Sequence, residues 1–139
     1  MTPAKSPLPF LGTWKLTKCE PSRPDLPHPV SGTTKTTQET DGIHLNSEGT
    51  WSDGRTVKMS VVYQMDGNWY PITGNPLGDS VSVRRLDDLS SEAKIRKDGV
   101  DVGSNRITVS ADGRTLTMQA ELVGPGGVAI AWKTTSERQ

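Results

Sequence analysis

The pair Asp-Gly recurs five times, at Asp41-Gly42, Asp53-Gly54, Asp66-Gly67, Asp98-Gly99 and Asp112-Gly113. Each pair mostly lies between short runs rich in Val, Ile, Thr or aromatic residues. Asp-Gly tolerates the positive φ that a tight hairpin turn demands, so a chain punctuated this way is built from strands that reverse at each pair. Gly74-Asn75-Pro76, Gly78-Asp79 and Gly124-Pro125-Gly126-Gly127 add three further breaks. The remaining segments run about 6–12 residues, the spacing of a β-sandwich or β-barrel.

Between the breaks, apolar residues alternate with polar ones. From Arg55 to Met65, Val57, Met59, Val61, Tyr63 and Met65 share one face, while Thr56, Lys58, Ser60 and Gln64 share the other. Side chains on a strand point alternately to its two sides, so one face is dry and one wet. The same period recurs in Phe10, Gly12, Trp14 and Leu16; in Ile43 and Leu45; in Val81 and Val83; in Ala93 and Ile95; in Leu116, Met118, Ala120 and Leu122; and in Val128, Ile130 and Trp132. Between Val100 and Ser110 the dry phase slips from even positions, Val100 and Val102, to odd ones, Ile107 and Val109. A bulge near Gly103 restores it. Thr33 to Thr40 is polar on both faces, which fits either an edge strand or the wall of a wet cavity.

No stretch of a dozen residues keeps a helical period free of Gly and Pro. Between Cys19 and Ser31, Pro21, Pro24, Pro27 and Pro29 exclude a stable helix and leave an extended loop. Strands joined by short hairpins form an up-and-down meander most simply, and a twisted meander removes its edges by pairing first strand with last. The expected fold is therefore all-β: an antiparallel up-and-down barrel of about eight to ten strands, the phases giving nine or ten. A single domain over residues 10–136 follows a flexible segment over residues 1–9.

Composition agrees. Only 32% of the 139 residues are apolar, with 14 Gly and 10 Pro, lean for a multilayer core and sufficient for one sheet wrapped round its interior. Sixteen basic residues balance sixteen acidic ones. With no basic run, nothing gathers a phosphate backbone, so nucleic acid is not an expected partner. Cys19 is the one cysteine, so no internal disulfide forms. The opening residues carry Pro3, Pro7 and Pro9 and no apolar run of secretory type, and no window is long enough to span a membrane. The expected location is cytoplasmic, although a trimmed form of an exported protein would read the same way.

The segment Phe10-Leu11-Gly12-Thr13-Trp14-Lys15-Leu16 resembles the first strand of the calycin superfamily, the lipocalins and fatty-acid-binding proteins, whose Gly-x-Trp sets an indole at the closed end of the barrel. Asp66 to Pro76, Asp79 to Asp88 and Ser110 to Thr117 are similar to a group of uncharacterised bacterial lipocalin-like proteins sharing a Tyr-Pro, Thr-Gly-Asn-Pro and Ser-x-Asp-Gly framework. The similarity covers most of residues 8–120 and implies the barrel more than an activity. The chain departs from fatty-acid-binding proteins in two places. Its Pro-rich segment stands where they carry two lid helices, and Val128 to Thr135 lacks their Arg-x-Tyr carboxylate clamp. In lipocalins a basic residue of the final strand packs over the first-strand Trp; Lys133 is the nearest match, although its phase is opposite to that of Trp132.

A barrel of this size holds either packed side chains or a guest. The expected function is binding of a small hydrophobic or amphipathic ligand in the interior, with Met59, Tyr63, Trp69, Met118 and Trp132 lining the site and Arg85, in phase with Val81 and Val83, as a polar anchor for an acidic group. Residue by residue, simple packing competes with lining, and a strand-end Arg more often reaches for water. Two alternatives stand beside this one: a protein-interaction or inhibitory module with a filled barrel, engaging partners through the Pro-rich loop and Trp69-Tyr70, and an enzyme with an interior active site. The catalytic inventory is thin. His28 falls in the Pro-rich loop, His44 falls on the wet face, neither has an evident partner, and no ligand spacing for a metal occurs. No cofactor, metal or catalytic residue is expected, and oligomeric state is not legible.

Overall fold

Alternation and turns resolve into ten strands in the computed structural model, which describes residues 8–139. They are β1 (Gly12–Pro21), β2 (Pro29–Glu39), β3 (Gly42–Trp51), β4 (Thr56–Tyr63), β5 (Trp69–Thr73), β6 (Ser80–Arg85), β7 (Ser90–Lys97), β8 (Val100–Val109), β9 (Thr115–Val123) and β10 (Ala129–Arg138). One short 3₁₀ turn, Pro125–Gly127, precedes β10. Each strand pairs antiparallel with its neighbours in sequence, and β1 pairs with β10 to close the sheet. Among the described residues every strand thus has a partner on both sides, although β4 and β5 share only the pairs Ser60–Thr73 and Val61–Ile72. Residues 1–7 lie outside the described residues, and most of the expected flexible segment with them. Leu8 packs against the core, and the Pro9 carbonyl accepts a hydrogen bond from Arg138.

The Asp-Gly turns behave as their chemistry requires. Between β7 and β8, Asp98 (φ 51°) and Gly99 (φ 78°) both take positive φ, the conformation of a two-residue hairpin whose twist matches the strands it joins. The phase slip in β8 is a bulge. Ile95 pairs with Gly103 and the next residue, Arg96, with Asp101, so Val102 is unopposed and the dry phase moves to odd positions. Gly103 sits there at φ 150° with the Glu121 carbonyl and Leu122 against it, leaving no room for a Cβ.

The polar strand β2 is no edge. It pairs with β1 through Thr33–Thr36 and with β3 along its whole length, and Thr34 and Thr36 face the barrel interior. Of the two readings open for that stretch, the cavity wall is the one realised.

Phe10, Trp14, Ile43, Tyr63, Val83 and Val109 belong to one buried cluster, with Val109 only 1% exposed. Phe10, Trp14, Ile43, Val83 and Val109 lie towards the end of the barrel where β1 begins and β10 finishes. The Pro-rich segment runs over the opposite end. Ser22 N–H donates to the Ala131 carbonyl, Ser52 N–H to the His28 carbonyl, and Leu26 packs on the core. No helix of the described residues is long and apolar enough to cross a membrane.

A cavity inside the barrel

The interior is hollow. Leu16, Leu45, Met59, Ile107, Leu116 and Met118 all point inward from a closed sheet, yet each remains half-buried. A side chain enclosed by a barrel keeps accessible surface only if it faces empty space, and here that space is about 240 Å³.

Its two walls differ in chemistry. Thr34 and Thr36 on β2, Ser47 on β3, and Thr134 and Ser136 on β10 present hydroxyls, and Thr34 Oγ1 donates to Ser47 Oγ at 3.2 Å. Ile107 on β8, Leu116, Met118 and Leu122 on β9, and Val57 and Met59 on β4 make the opposing wall mainly apolar, with Asn105 of β8 set among them. Trp51 and Trp132 meet edge to face, ring centres 5.6 Å apart, in the geometry that the ring quadrupoles favour. No Asp, Glu, His, Lys or Arg stands among the described residues lining the cavity.

Of the six residues expected to form the site, Met59, Tyr63, Met118 and Trp132 line this cavity. Tyr63 is buried so deeply that desolvation alone raises its phenol well above the ordinary range, and the hydroxyl stays protonated.

Trp69 and Arg85 do not join them. In β5, Val61 pairs with Ile72 and Val81 with Tyr70, which puts Tyr70 and Ile72 inward and turns Trp69 outward. There the Arg96 guanidinium covers the indole at 3.9 Å and pairs with Asp101 at 2.7 Å. Strand β5 is five residues long and reads Trp-Tyr-Pro-Ile-Thr, so no wet-dry alternation fixes its facing and the pairing partners decide it. Arg85 keeps the expected phase, but it ends β6. Its Nε and Nη2 donate to the carbonyls of Asp87 and Asp88 at 3.0 and 2.9 Å, tying down the turn into β7 and leaving no anchor for an acidic guest.

The basic residue over the first-strand indole is Arg138, not Lys133. Its guanidinium carbon lies 4.3 Å from the centre of the Trp14 ring. The signal was present in sequence, because Arg138 continues the even phase of Ile130 and Trp132 to the end of β10.

The remaining expected bystanders have structural employment. His44 is on the outer face as expected, but it has a partner after all: its Nε2 meets Asp41 Oδ1 at 2.6 Å, and this contact holds the Asp41 carboxyl below its usual range. His28 lies in the loop, its Nδ1 2.7 Å from the Leu26 carbonyl. Burial, then the neighbouring Glu20, push the Cys19 thiol up, which suppresses the thiolate. Tyr70 donates to Asp66 Oδ2 at 2.6 Å across the β4–β5 turn. Among the described residues no group of three His, Cys, Asp or Glu side chains converges as a metal site would need.

Asn105 escaped sequence reasoning altogether. It occupies the odd, inward phase of Ile107 and Val109, and its Oδ1 is buried without a hydrogen-bond partner. Trp132 Nε1 is the other buried side-chain polar atom without one among the described residues. A polar residue on a dry phase is the signal that would have found Asn105.

Neither a protein-family model nor a curated protein matches this sequence. Solved structures do match it in fold. A protein of unknown function from the DUF3598 family of Nostoc punctiforme PCC 73102 aligns at TM-score 0.62 and 19% identity over 94% of this chain. The chain spans about half, 48%, of that protein's length. A redesigned β-barrel, mFAP1, bound to DFHBI aligns at TM-score 0.54 and 14% identity, covering 97% of this chain and all of that one. Zebrafish ileal bile acid-binding protein, complexed with cholic acid, aligns at TM-score 0.54 and 12% identity over 94% of this chain and 99% of its own. At these identities the likeness defines the architecture: a closed, ten-stranded antiparallel barrel of the fatty-acid-binding-protein and lipocalin-like class.

Proposed function

We propose that this protein is a binding module that holds a small hydrophobic or amphipathic molecule inside its barrel, not an enzyme, and that it belongs with the bacterial lipocalin-like proteins its motifs resemble. The observation that carries the proposal is the set of inward side chains left half-buried around about 240 Å³ of empty space. Apolar groups that could have packed against each other keep surface that burial would stabilise by roughly 25 cal/mol per Å², and a guest supplies that burial. Two proteins of similar architecture are bound to small molecules, cholic acid and DFHBI, which adds to this reading. A filled interior would instead have favoured an interaction module.

The test uses the protein's own indoles. Trp14, Trp51 and Trp132 line the cavity and Trp69 does not, so Trp69→Phe removes the outside reporter. Titrating this variant with a panel of lipid-like and aromatic probes is expected to give saturable shifts or quenching of emission. A flat response across the panel sinks the proposal.

A further inference from the structure

Asn105 and Trp132 share one inward-facing row. Across the sheet the row runs Val83, Ala93, Asn105, Ala120 and Trp132, on β6 to β10 in turn. Asn105 is therefore flanked on both sides by alanine, whose methyl groups offer its amide nothing. Ala120 stands between Asn105 and Trp132, and strands are about 4.8 Å apart, so the two residues sit roughly 10 Å apart along one wall. An acceptor, Asn105 Oδ1, and a donor, Trp132 Nε1–H, are thus held out of water with no partner. A native fold tolerates few such groups, because each carries a desolvation penalty without compensation.

We infer that the cavity selects an uncharged guest of one or two fused rings that donates a hydrogen bond to Asn105 and accepts one from Trp132; this rests on the ligand-binding reading above. Charge is excluded by the lining, in which no described residue is a cation or an anion. A carboxylate or ammonium brought there would lose its hydration with nothing opposite to replace it. Size is set by the cavity: 240 Å³ is the liquid volume of about eight waters, a little under the usual range of drug-sized sites. Both polar atoms are shielded in the empty barrel, so a guest reaches them as the wall adjusts. Met118, diagonal to Asn105 on β9 and half-buried, is the adaptable side chain for that movement.

A matched set of three guests tests the inference: naphthalene-2-carboxamide, which carries both a donor and an acceptor; 2-naphthoate, of the same shape but charged; and naphthalene, with neither. Affinities are measured by calorimetry on the full chain. The cavity is monitored by the ¹⁵N-resolved indole N–H signal of Trp132, assigned by its loss in Trp132→Phe. The carboxamide is expected to bind at least about tenfold tighter than either other guest and to shift that signal downfield. In Asn105→Leu its advantage over naphthalene should fall about tenfold, with naphthalene bound as well or better. Naphthoate binding as tightly as the carboxamide, with the Trp132 signal responding, overturns the inference and leaves the vessel standing. A tight carboxamide complex indifferent to Asn105→Leu overturns the role of Asn105. Absence of binding by all three overturns the inference, and the vessel reading falls only if the lipid-like panel is silent too. The ranking of the three affinities needs no variant, so it holds even if Asn105→Leu fails to fold.

Discussion

The guanidinium of Arg138, at the end of the last strand, lies over the ring of Trp14 in the first, its carbon 4.3 Å from the ring centre. From there Nε donates to the Gly113 carbonyl at 2.8 Å, Nη1 to Leu11 at 2.6 Å and Nη2 to Pro9 at 2.7 Å. The Trp14 indole in turn donates to the Phe10 carbonyl at 2.8 Å. A planar fork of donors that also stacks is a combination only Arg supplies. Gly12 leaves the space it needs, since a Cβ there would meet Nη1 at 2.5 Å. One side chain thus fastens the entry to β1 and the β8–β9 turn over the buried cluster.

Removing that fastener should loosen the barrel where β1 and β10 close it. Arg138→Met is expected to cost about 1–3 kcal/mol in denaturant unfolding, from lost charge-assisted hydrogen bonds and stacking. Arg138→Lys should recover less than half, because a point charge replaces the fork. Full recovery by Lys would show that charge alone matters.

The bulge in β8 depends on a residue without a side chain. Gly103→Ala adds a Cβ against the Glu121 carbonyl at a φ that L residues avoid, and a loss of about 2 kcal/mol or more is expected. Gly54→Ala, at φ 90° with nothing near the new methyl, serves as the control that carries strain without a clash. Equal midpoint shifts for the two variants would refute the role given to the bulge.

Tyr63 makes stability depend on alkali. Below the ordinary phenol value of about 10 both folded and unfolded forms are protonated, and burial carries no ionisation penalty. Above it the unfolded chain loses the proton while the buried phenol, its pKa raised, keeps it, so stability falls as pH rises, by up to about 1.4 kcal/mol per pH unit. Tyr63→Phe should flatten the decline above pH 10 and change little at pH 7. Tyr70, raised mainly by its hydrogen bond to Asp66, is unaltered in that variant. An unchanged alkaline limb in chemical unfolding would show that Tyr63 is not its source.

Filling the cavity should abolish binding and spare the fold. Met118 is half-buried and faces the void, so Met118→Trp adds bulk where space exists. The expected result is an unchanged β-type far-ultraviolet spectrum with loss of the probe response. Probe binding of wild-type strength would place the site elsewhere.

Asn105 is expected to weaken the empty protein. Replacing the amide, whose oxygen is buried without a partner, with an apolar group of similar size, Asn105→Leu, should raise stability in the absence of guest by about 1 kcal/mol. A lower unfolding midpoint would mean that the amide is compensated in solution.

Where alternation was long, the sequence was sufficient. In β4 and β9 the inward residues Met59, Tyr63 and Met118 follow from period two alone, and the Gly103 bulge follows from a phase slip. Trp69 did not follow, because β5 is short and apolar on both sides, and its facing comes from pairing with Val61 and Val81 on other strands. Asn105 shows in the sequence only as a polar residue on a dry phase, and its lack of a partner comes from the two alanines, Ala93 and Ala120, that pair beside it.

By itself the chain's order of residues determined hairpins, the faces of the long alternating strands and the closed meander, because turn chemistry and side-chain alternation act between near neighbours. Only the tertiary structure decided whether the cylinder was full, which groups its lining left unpaired, and which way the short strand β5 faces. Those outcomes depend on volumes and partners that meet across the barrel from strands distant in sequence, and no local pattern encodes the sum.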